Sequence, residues 1–238
     1  MIVSFLCPIL LGALLNLDKQ VFGPFMVNRP LVTGLVIGFV IGDVYKGIWM
    51  GMSVELLWLA TMPLGGSLTP NGGLAVTAAL TGWAGQALFE AGGFPPPGVS
   101  AGLTNAGLVL SFLTVPVWAR AFIVIDRIAR KAAPSQVAGA WADLAAGRDP
   151  HFFRRNLIGV GVNYLAAVVC LLVAVLVNMF LLKLVAMAAP QAVLVNLGFT
   201  FTFIPFLGLF GMAVFIESKT VTHYLGGLLA SLLVLSAI

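Results

Sequence analysis

Charge is what this sequence has least of. Only 8% of its 238 residues are Asp, Glu, Lys or Arg, where a soluble domain carries about 25%. With 61% hydrophobic residues and a mean hydropathy of +1.09, that scarcity excludes an ordinary soluble fold. It leaves an all-α polytopic membrane protein forming a single membrane domain, residues 1–238. Cysteine is nearly absent too. Cys7 and Cys170 both sit in apolar runs and read as small buried hydrophobes rather than a disulfide. No Cys/His spacing suits a metal, and no H-E-x-x-H or G-x-S-x-G motif is present, so no catalytic residue, metal or cofactor is expected.

The few cations are unevenly placed. Of twelve Lys and Arg, seven lie between Arg120 and Arg155. In a chain this apolar the cluster is a topology signal. The positive-inside rule puts the loop 126–155 in the cytoplasm, and no aromatic-interleaved basic patch points to nucleic acid. The first lysine is Lys19, so the amino terminus lacks the basic region of a cleaved signal. Residues 2–15 are expected to stay as a membrane helix.

What the chain does have is one polar-studded apolar stretch, Leu15 to Leu74. It carries Asp18, Lys19, Gln20, Asn28, Arg29, Asp43, Lys46, Glu55 and Asn71. It also carries two glycine ladders in steps of four: Gly34, Gly38, Gly42, and then Gly47, Gly51, with Glu55 at the next step. Steps of four keep residues on nearly one helix face, and glycine there lets two backbones approach closely inside a bilayer. The five-residue step from Gly42 to Gly47 breaks the phase and contains Asp43 and Lys46. The spacing predicts a helix hairpin over 30–62 turning at Gly42–Gly47. Each arm holds roughly 13 to 15 residues, or about 20 Å, while a full span needs about 20 residues. Pro30 and Pro63 bracket the pair. The expected form is therefore a re-entrant or broken-helix hairpin, tolerated at membrane depth where it is buried in protein or lines a wet cavity.

The rest of the chain follows in order. Residues 16–29 are mixed, with Gly23-Pro24 breaking any long helix. Residues 63–73 form a turn-rich loop ending near Asn71, and 74–91 a helix rich in small residues. Residues 101–125 and 156–186 are long enough to span, and 135–146 reads as a short amphipathic surface helix. Past Pro190 come short apolar segments, 192–203 and 205–216, and the polar turn Glu217–Thr220. The division is thus 1–125, 126–155 and 156–238. Short helices around a polar turn in both halves point to a transporter with structural repeats.

Among candidate site residues Glu55 leads, since an intramembrane carboxylate is costly and functional by default and can accept two hydroxyl hydrogen bonds. A salt bridge to Arg29 or Lys19 is the alternative. Asp18, Gln20 and Asn71 follow as substrate-binding candidates. Asp43 is expected to cap the helix after it. Arg29, before Pro30, anchors the hairpin end or pairs with an acid. The glycines at 34, 38, 42, 47 and 51 are structural. His151, beside Phe152-Phe153 and two arginines, reads as interfacial.

The run Leu17-Asp18…Arg29-Pro30-Leu31, then Gly42-Asp43…Gly47…Gly51…Glu55, then Gly-Gly and Pro-Asn, resembles the IIC subunit of mannose/fructose/sorbose-type sugar phosphotransferase systems. The resemblance is strong over the first third of the chain. It implies a sugar path shared with a IID membrane subunit, with cytosolic IIA and IIB subunits phosphorylating a hexose or amino sugar during uptake. It also implies a trimer, an elevator-like motion and a bacterial cytoplasmic (inner) membrane location. It places 16–29 inside the protein against the hairpin, where the residues alone leave an interfacial linker open. The chain departs from the family at Pro70-Asn71, where a Pro-Asp pair is the pattern, and members continue through one more helix. Two other classes compete with this reading. An intramembrane aspartyl protease needs GxGD, and Val40 stands where that motif has its first glycine. A non-transporting regulatory or scaffold subunit of a phosphotransferase network is the alternative.

Overall fold

The computed structural model describes residues 2–19, 25–58, 69–85 and 100–206. Every regular element among them is helical. The first helix, α1 (Ile2–Asn16), runs into a 3-10 turn at Leu17–Lys19. The hairpin follows as α2 (Pro30–Ile41) and α3 (Val44–Trp58). Then come α4 (Gly72–Ala84), α5 (Ser100–Ala121), α6 (Ile123–Ala145), α7 (Phe152–Ala188) and α8 (Gln191–Phe199), closed by a 3-10 turn at Thr200–Phe203.

The hairpin is present and turns more tightly than the sequence predicts. Gly42 is left-handed (φ 89°), a conformation glycine reaches at little cost. Its N–H donates to the Gly38 and Phe39 carbonyls at 3.0 and 3.2 Å, and the Asp43 N–H donates to Gly38 at 2.9 Å. These bonds satisfy carbonyls that a helix end otherwise leaves open. Asp43 then caps α3 as expected: its Oδ1 accepts from the Lys46 N–H at 3.1 Å, and its Oδ2 pairs with Lys46 Nζ at 2.6 Å. The cap starts α3 at Val44, so the turn is Gly42-Asp43 alone and not the whole of Gly42–Gly47.

The arms touch backbone to backbone. A β-carbon on Gly34 would strike the Gly47 carbonyl, and one on Gly47 the Gly34 carbonyl. On Gly38 it would sit 2.8 Å from the Gly47 Cα, and on Gly51 2.6 Å from the Pro30 carbonyl. At 12 and 15 residues the arms are about 18 and 22 Å long.

α4 is the hub. It is buried from Gly72 through Gly82 and packs against α1, the hairpin, α5 and α7. Leu74, Leu80, Leu108, Phe112 and Leu171 are fully buried around it. The helix begins two residues before the expected Leu74 because Asn71 caps it, its side-chain oxygen accepting from the Leu74 N–H at 3.2 Å. Two stretches, Asn105–Ala145 and Phe152–Ala188, are long and apolar enough to cross a membrane. The first includes a correction. The segment expected as a short surface helix at 135–146 is the second half of α6. Phe122 keeps helical angles (φ −68°, ψ −8°), so α5 passes almost unbroken into α6 instead of ending in a loop. Residues 63–68, 92–98 and the turn 217–220 lie outside the described residues, as does most of 205–216, so the echo between the two halves rests on sequence.

The seam makes a sharp prediction. Gly47→Val should lower stability by roughly 1–3 kcal/mol or more, because the atoms it meets are backbone and cannot rotate away. Gly42→Ala, with open space around it, should cost only the left-handed strain, about 1–2 kcal/mol. Thermal unfolding of the purified protein in detergent, followed by size-exclusion chromatography, ranks them; equal effects would refute the seam.

Candidate functional site

The polar side chains of the first third converge where α1 ends, α2 begins and α4 begins. Asp18 is buried at 7% exposure, in the 3-10 turn. Its Oδ1 accepts from the Phe25 N–H at 3.0 Å, and its Oδ2 accepts from Val27 and Asn28 at 2.8 and 3.3 Å. A carboxylate taking three backbone donors fixes an irregular segment that has no helix to satisfy it. The expected sugar ligand is, in this geometry, the clamp that holds residues 25–28 against the base of the hairpin.

Asn71 sits at 1% exposure in a chain of amides. Its Nδ2 donates to Asn16 Oδ1 at 2.7 Å, and Asn16 Nδ2 donates to Asn163 Oδ1 at 3.2 Å. Its own Oδ1 accepts from Asn28 Nδ2 at 3.2 Å as well as from Leu74. The Asn71 N–H donates to the Ala119 carbonyl at 2.9 Å. One side chain thus joins α1, the 25–28 segment and α4, Asn16 carries the connection on to α7, and the Asn71 backbone joins α5. The chain stops at two buried oxygens without a partner, Asn28 Oδ1 and Thr33 Oγ1. Both face Gly73, where a β-carbon would collide with Asn28 and come within 3.0 Å of Thr33 Oγ1.

Glu55 lies one turn beyond Gly51 and reaches the start of α2. Its Oε1 pairs with Arg29 Nη1 at 2.9 Å, and its Oε2 accepts from the Leu31 N–H at 3.4 Å. The Arg29 side chain makes no cap bond of its own, so a carboxylate from the other arm supplies the negative charge that a helix N-terminus favours. The side chains of Arg29 and Glu55 are 50% and 20% exposed, open enough to meet a ligand. Lys19, weighed as a partner for Glu55, goes elsewhere. It pairs with Asp126 at 2.7 Å and donates to the Thr69 carbonyl at 3.3 Å.

The structure therefore joins Asp18 and Asn71 through Asn28 and sets Glu55 with Arg29 beside them at Pro30. Asp43 stands at the opposite end of the hairpin. Gln20 lies outside the described residues. Sequence reasoning missed Asn16, Asn28, Thr33 and the Lys19–Asp126 pair. For Asn16, Asn28 and Thr33 the available signal was a polar residue in a mostly apolar stretch; Asp126, at the head of a charged segment, carried none. Chemically, Glu55 and Arg29 offer an acceptor and a donor fork side by side, a combination suited to neutral polyols. Among the described residues no cluster of His, Cys, Asp or Glu is fit to hold a metal.

Two experiments separate clamp from open pair. Asp18→Asn should lower stability by at least about 2 kcal/mol, since it turns an amide toward three N–H donors. A double-mutant cycle over Arg29→Ala and Glu55→Ala should give a coupling of no more than ~1 kcal/mol, as for a partly exposed pair. A larger coupling would mean that the pair is a structural brace.

Comparison with known proteins gives a consistent result. The family described as the phosphotransferase system sorbose-specific IIC component matches residues 2–235. "Putative N-acetylgalactosamine permease IIC component 2" of Escherichia coli K12 is 42% identical over 45 residues, 19% of this chain and 34% of that protein. The sorbose-specific EIIC component of Klebsiella pneumoniae is 36% identical over 56 residues, 24% of this chain and 21% of that protein. The matched stretches thus span 34% and 21% of those two relatives.

Proposed function

The chain belongs to the family of sorbose-specific IIC components of phosphotransferase systems, and from that premise we propose that it forms the sugar path of a mannose-family, phosphoenolpyruvate-dependent uptake system. It works beside a IID membrane subunit. Cytosolic IIA and IIB subunits carry the phosphoryl group, and this chain carries out no phosphoryl transfer itself. The assembly is a trimer in the bacterial inner membrane, with 126–155 on the cytoplasmic side. The substrate is a hexose or an amino sugar, in keeping with the sorbose and N-acetylgalactosamine in the relatives' names.

One observation carries the reading. A glycine-sealed hairpin with arms too short to cross ~30 Å of hydrocarbon holds the Glu55–Arg29 pair at its open end. In this reading the hairpin is re-entrant. Its Gly42-Asp43 tip lies at membrane depth inside the protein, where irregular backbone is allowed, and its base holds the carboxylate at the mouth of the path. A sugar would take up the two groups by donating hydroxyl protons to Glu55 and accepting from Arg29. Asp18 and Asn71 shape the floor below, already engaged with the protein's own groups. That engagement is also what a scaffold or regulatory subunit would display, and it keeps that second reading in the test.

The test is phosphoenolpyruvate-dependent uptake of labelled sorbose, mannose and amino sugars in vesicles holding this chain, a IID partner and the soluble subunits. Glu55→Gln should cut uptake at least tenfold while the complex still assembles, a loss of ~1.4 kcal/mol or more in transition-state binding. Unchanged uptake would remove Glu55 from the path. Intact assembly without uptake of any sugar would favour the scaffold.

A further inference from the structure

The C-terminal half of α6 carries an exposed apolar stripe that the sugar path does not use. Val137, Trp141 and Leu144 are 55%, 68% and 45% exposed. Their spacing of four and three puts them on one helix face. The opposite side of the same half-helix is committed to the protein. Gly139 packs on the Arg155 guanidinium and Asp143 Oδ2 pairs with Arg155 Nη2 at 2.6 Å, while Ala140, on the flank between them and the stripe, is buried. The Arg155 hydrogen bond, then its charge and that of Arg148, hold the Asp143 carboxyl below its ordinary value. The hairpin of α6 and α7 is thus fastened at neutral pH.

That fastening sets the depth of the stripe. Arg155 is in the first turn of α7, just before the cation-free run Leu157–Leu182, about 39 Å of helix. The stripe is therefore level with the end of a membrane span. Beside it stand Phe152 and Phe153, 62% and 82% exposed. One to three turns earlier on α6 come the exposed Arg127, Arg130 and Lys131. Aromatic and aliphatic side chains on one face with cations next to them, level with a span's end, are what an interfacial helix presents to anionic lipid.

We propose that the Val137–Trp141–Leu144 face of α6, with Arg127 and Lys131, docks on the anionic phospholipid headgroup layer of the cytoplasmic leaflet. The proposal rests on the cytoplasmic placement of 126–155. Charge complementarity selects the lipid. From Asp126 to Arg155 there are six cations and three acids; Asp126 and Asp143 are paired within the protein, Asp143 with Arg148 and Arg155, and the exposed Arg127 and Lys131 stand outside those pairs. The docked helix tethers the α6–α7 hairpin to the leaflet, a fixed support beside which the α2–α3 hairpin can shift.

The test is site-directed spin labelling of the full chain in nanodiscs, with Cys7 and Cys170 replaced by alanine. Val137→Cys reports on the stripe and Ser135→Cys on the other side of α6. The discs contain phosphatidylcholine alone or with phosphatidylglycerol, and the readout is collision with a water-soluble nickel chelate. In anionic discs the Val137 label should be shielded roughly fivefold or more relative to Ser135, the worth of one cation at a charged surface. That contrast should shrink in neutral discs and vanish in Arg127→Gln/Lys131→Gln. A Val137 label as accessible as Ser135 in both discs overturns the proposal. So does equal shielding in detergent, neutral and anionic discs, which would mean that protein covers the face. Labelling of Ser135→Cys by an impermeant maleimide from the cytoplasmic side of sealed vesicles checks the underlying placement independently.

Discussion

Backbone contact between α2 and α3 is the constraint on which the rest of the structure depends. Gly34, Gly38, Gly47 and Gly51 leave no room for a β-carbon, so the arms lie closer than any side-chain-mediated pair of helices. In a bilayer this closeness replaces the hydrophobic force that drives packing in water. It also dictates where the ends go. Gly51 sits on the Pro30 carbonyl, and one turn later Glu55 meets Arg29 and Leu31. The carboxylate is thus placed by the same four-residue step that places the glycines. A register slip of one residue would turn Glu55 away from the start of α2 by about 100°.

The hairpin then needs a floor, and the amides supply it. Buried polar groups in an apolar protein are tolerated when they bond to one another. The series Asn163, Asn16, Asn71 and Asn28 does this across four separate parts of the chain, with Asp18 clamping the irregular link between α1 and α2. Lys19 and Asp126 extend the connection to the start of α6. A displacement of the hairpin is consequently felt at the α6–α7 end of the molecule through bonded polar groups rather than through apolar contact alone. Among the described residues, Asn28 Oδ1 and Thr33 Oγ1, buried and unpartnered beside Gly73, mark a place in this floor where the hydrogen bonding is incomplete.

Much of this was legible in the sequence, and the part that was not has a physical reason. The glycine ladder, the Asp43 cap and the position of Glu55 relative to Gly51 are local facts of helical spacing, and the structure has them. The exact turn was missed because one capping bond, Asp43 to Lys46, converts an apparent loop into the first turn of α3. The continuity of α5 into α6 was missed because a run of charges reads as a loop, whereas Phe122 simply continues the helix. The role of Asn71 depends on partners far along the chain, Asn16 and Ala119, and that of Asp18 on backbone N–H groups of Phe25, Val27 and Asn28 in a segment without helical periodicity. No spacing rule reaches either. Glu55 and Arg29 lie in between: the pairing was one of two alternatives from sequence, and the geometry gives the pair with its side chains still partly open.

The central claim is that the α2–α3 hairpin turns back within the membrane, its tip short of the opposite face. Sidedness of labelling tests it most directly. Single cysteines at Phe25, near the base, and at Tyr45, near the tip, are both placed on exposed positions (73% and 61%). In sealed vesicles of defined orientation they are treated with a membrane-impermeant maleimide. A re-entrant hairpin predicts that Phe25→Cys labels from one face and that Tyr45→Cys is not labelled from the opposite face. Rapid labelling of Tyr45→Cys from the face opposite Phe25→Cys would mean that the arms cross the bilayer, and would contradict the account.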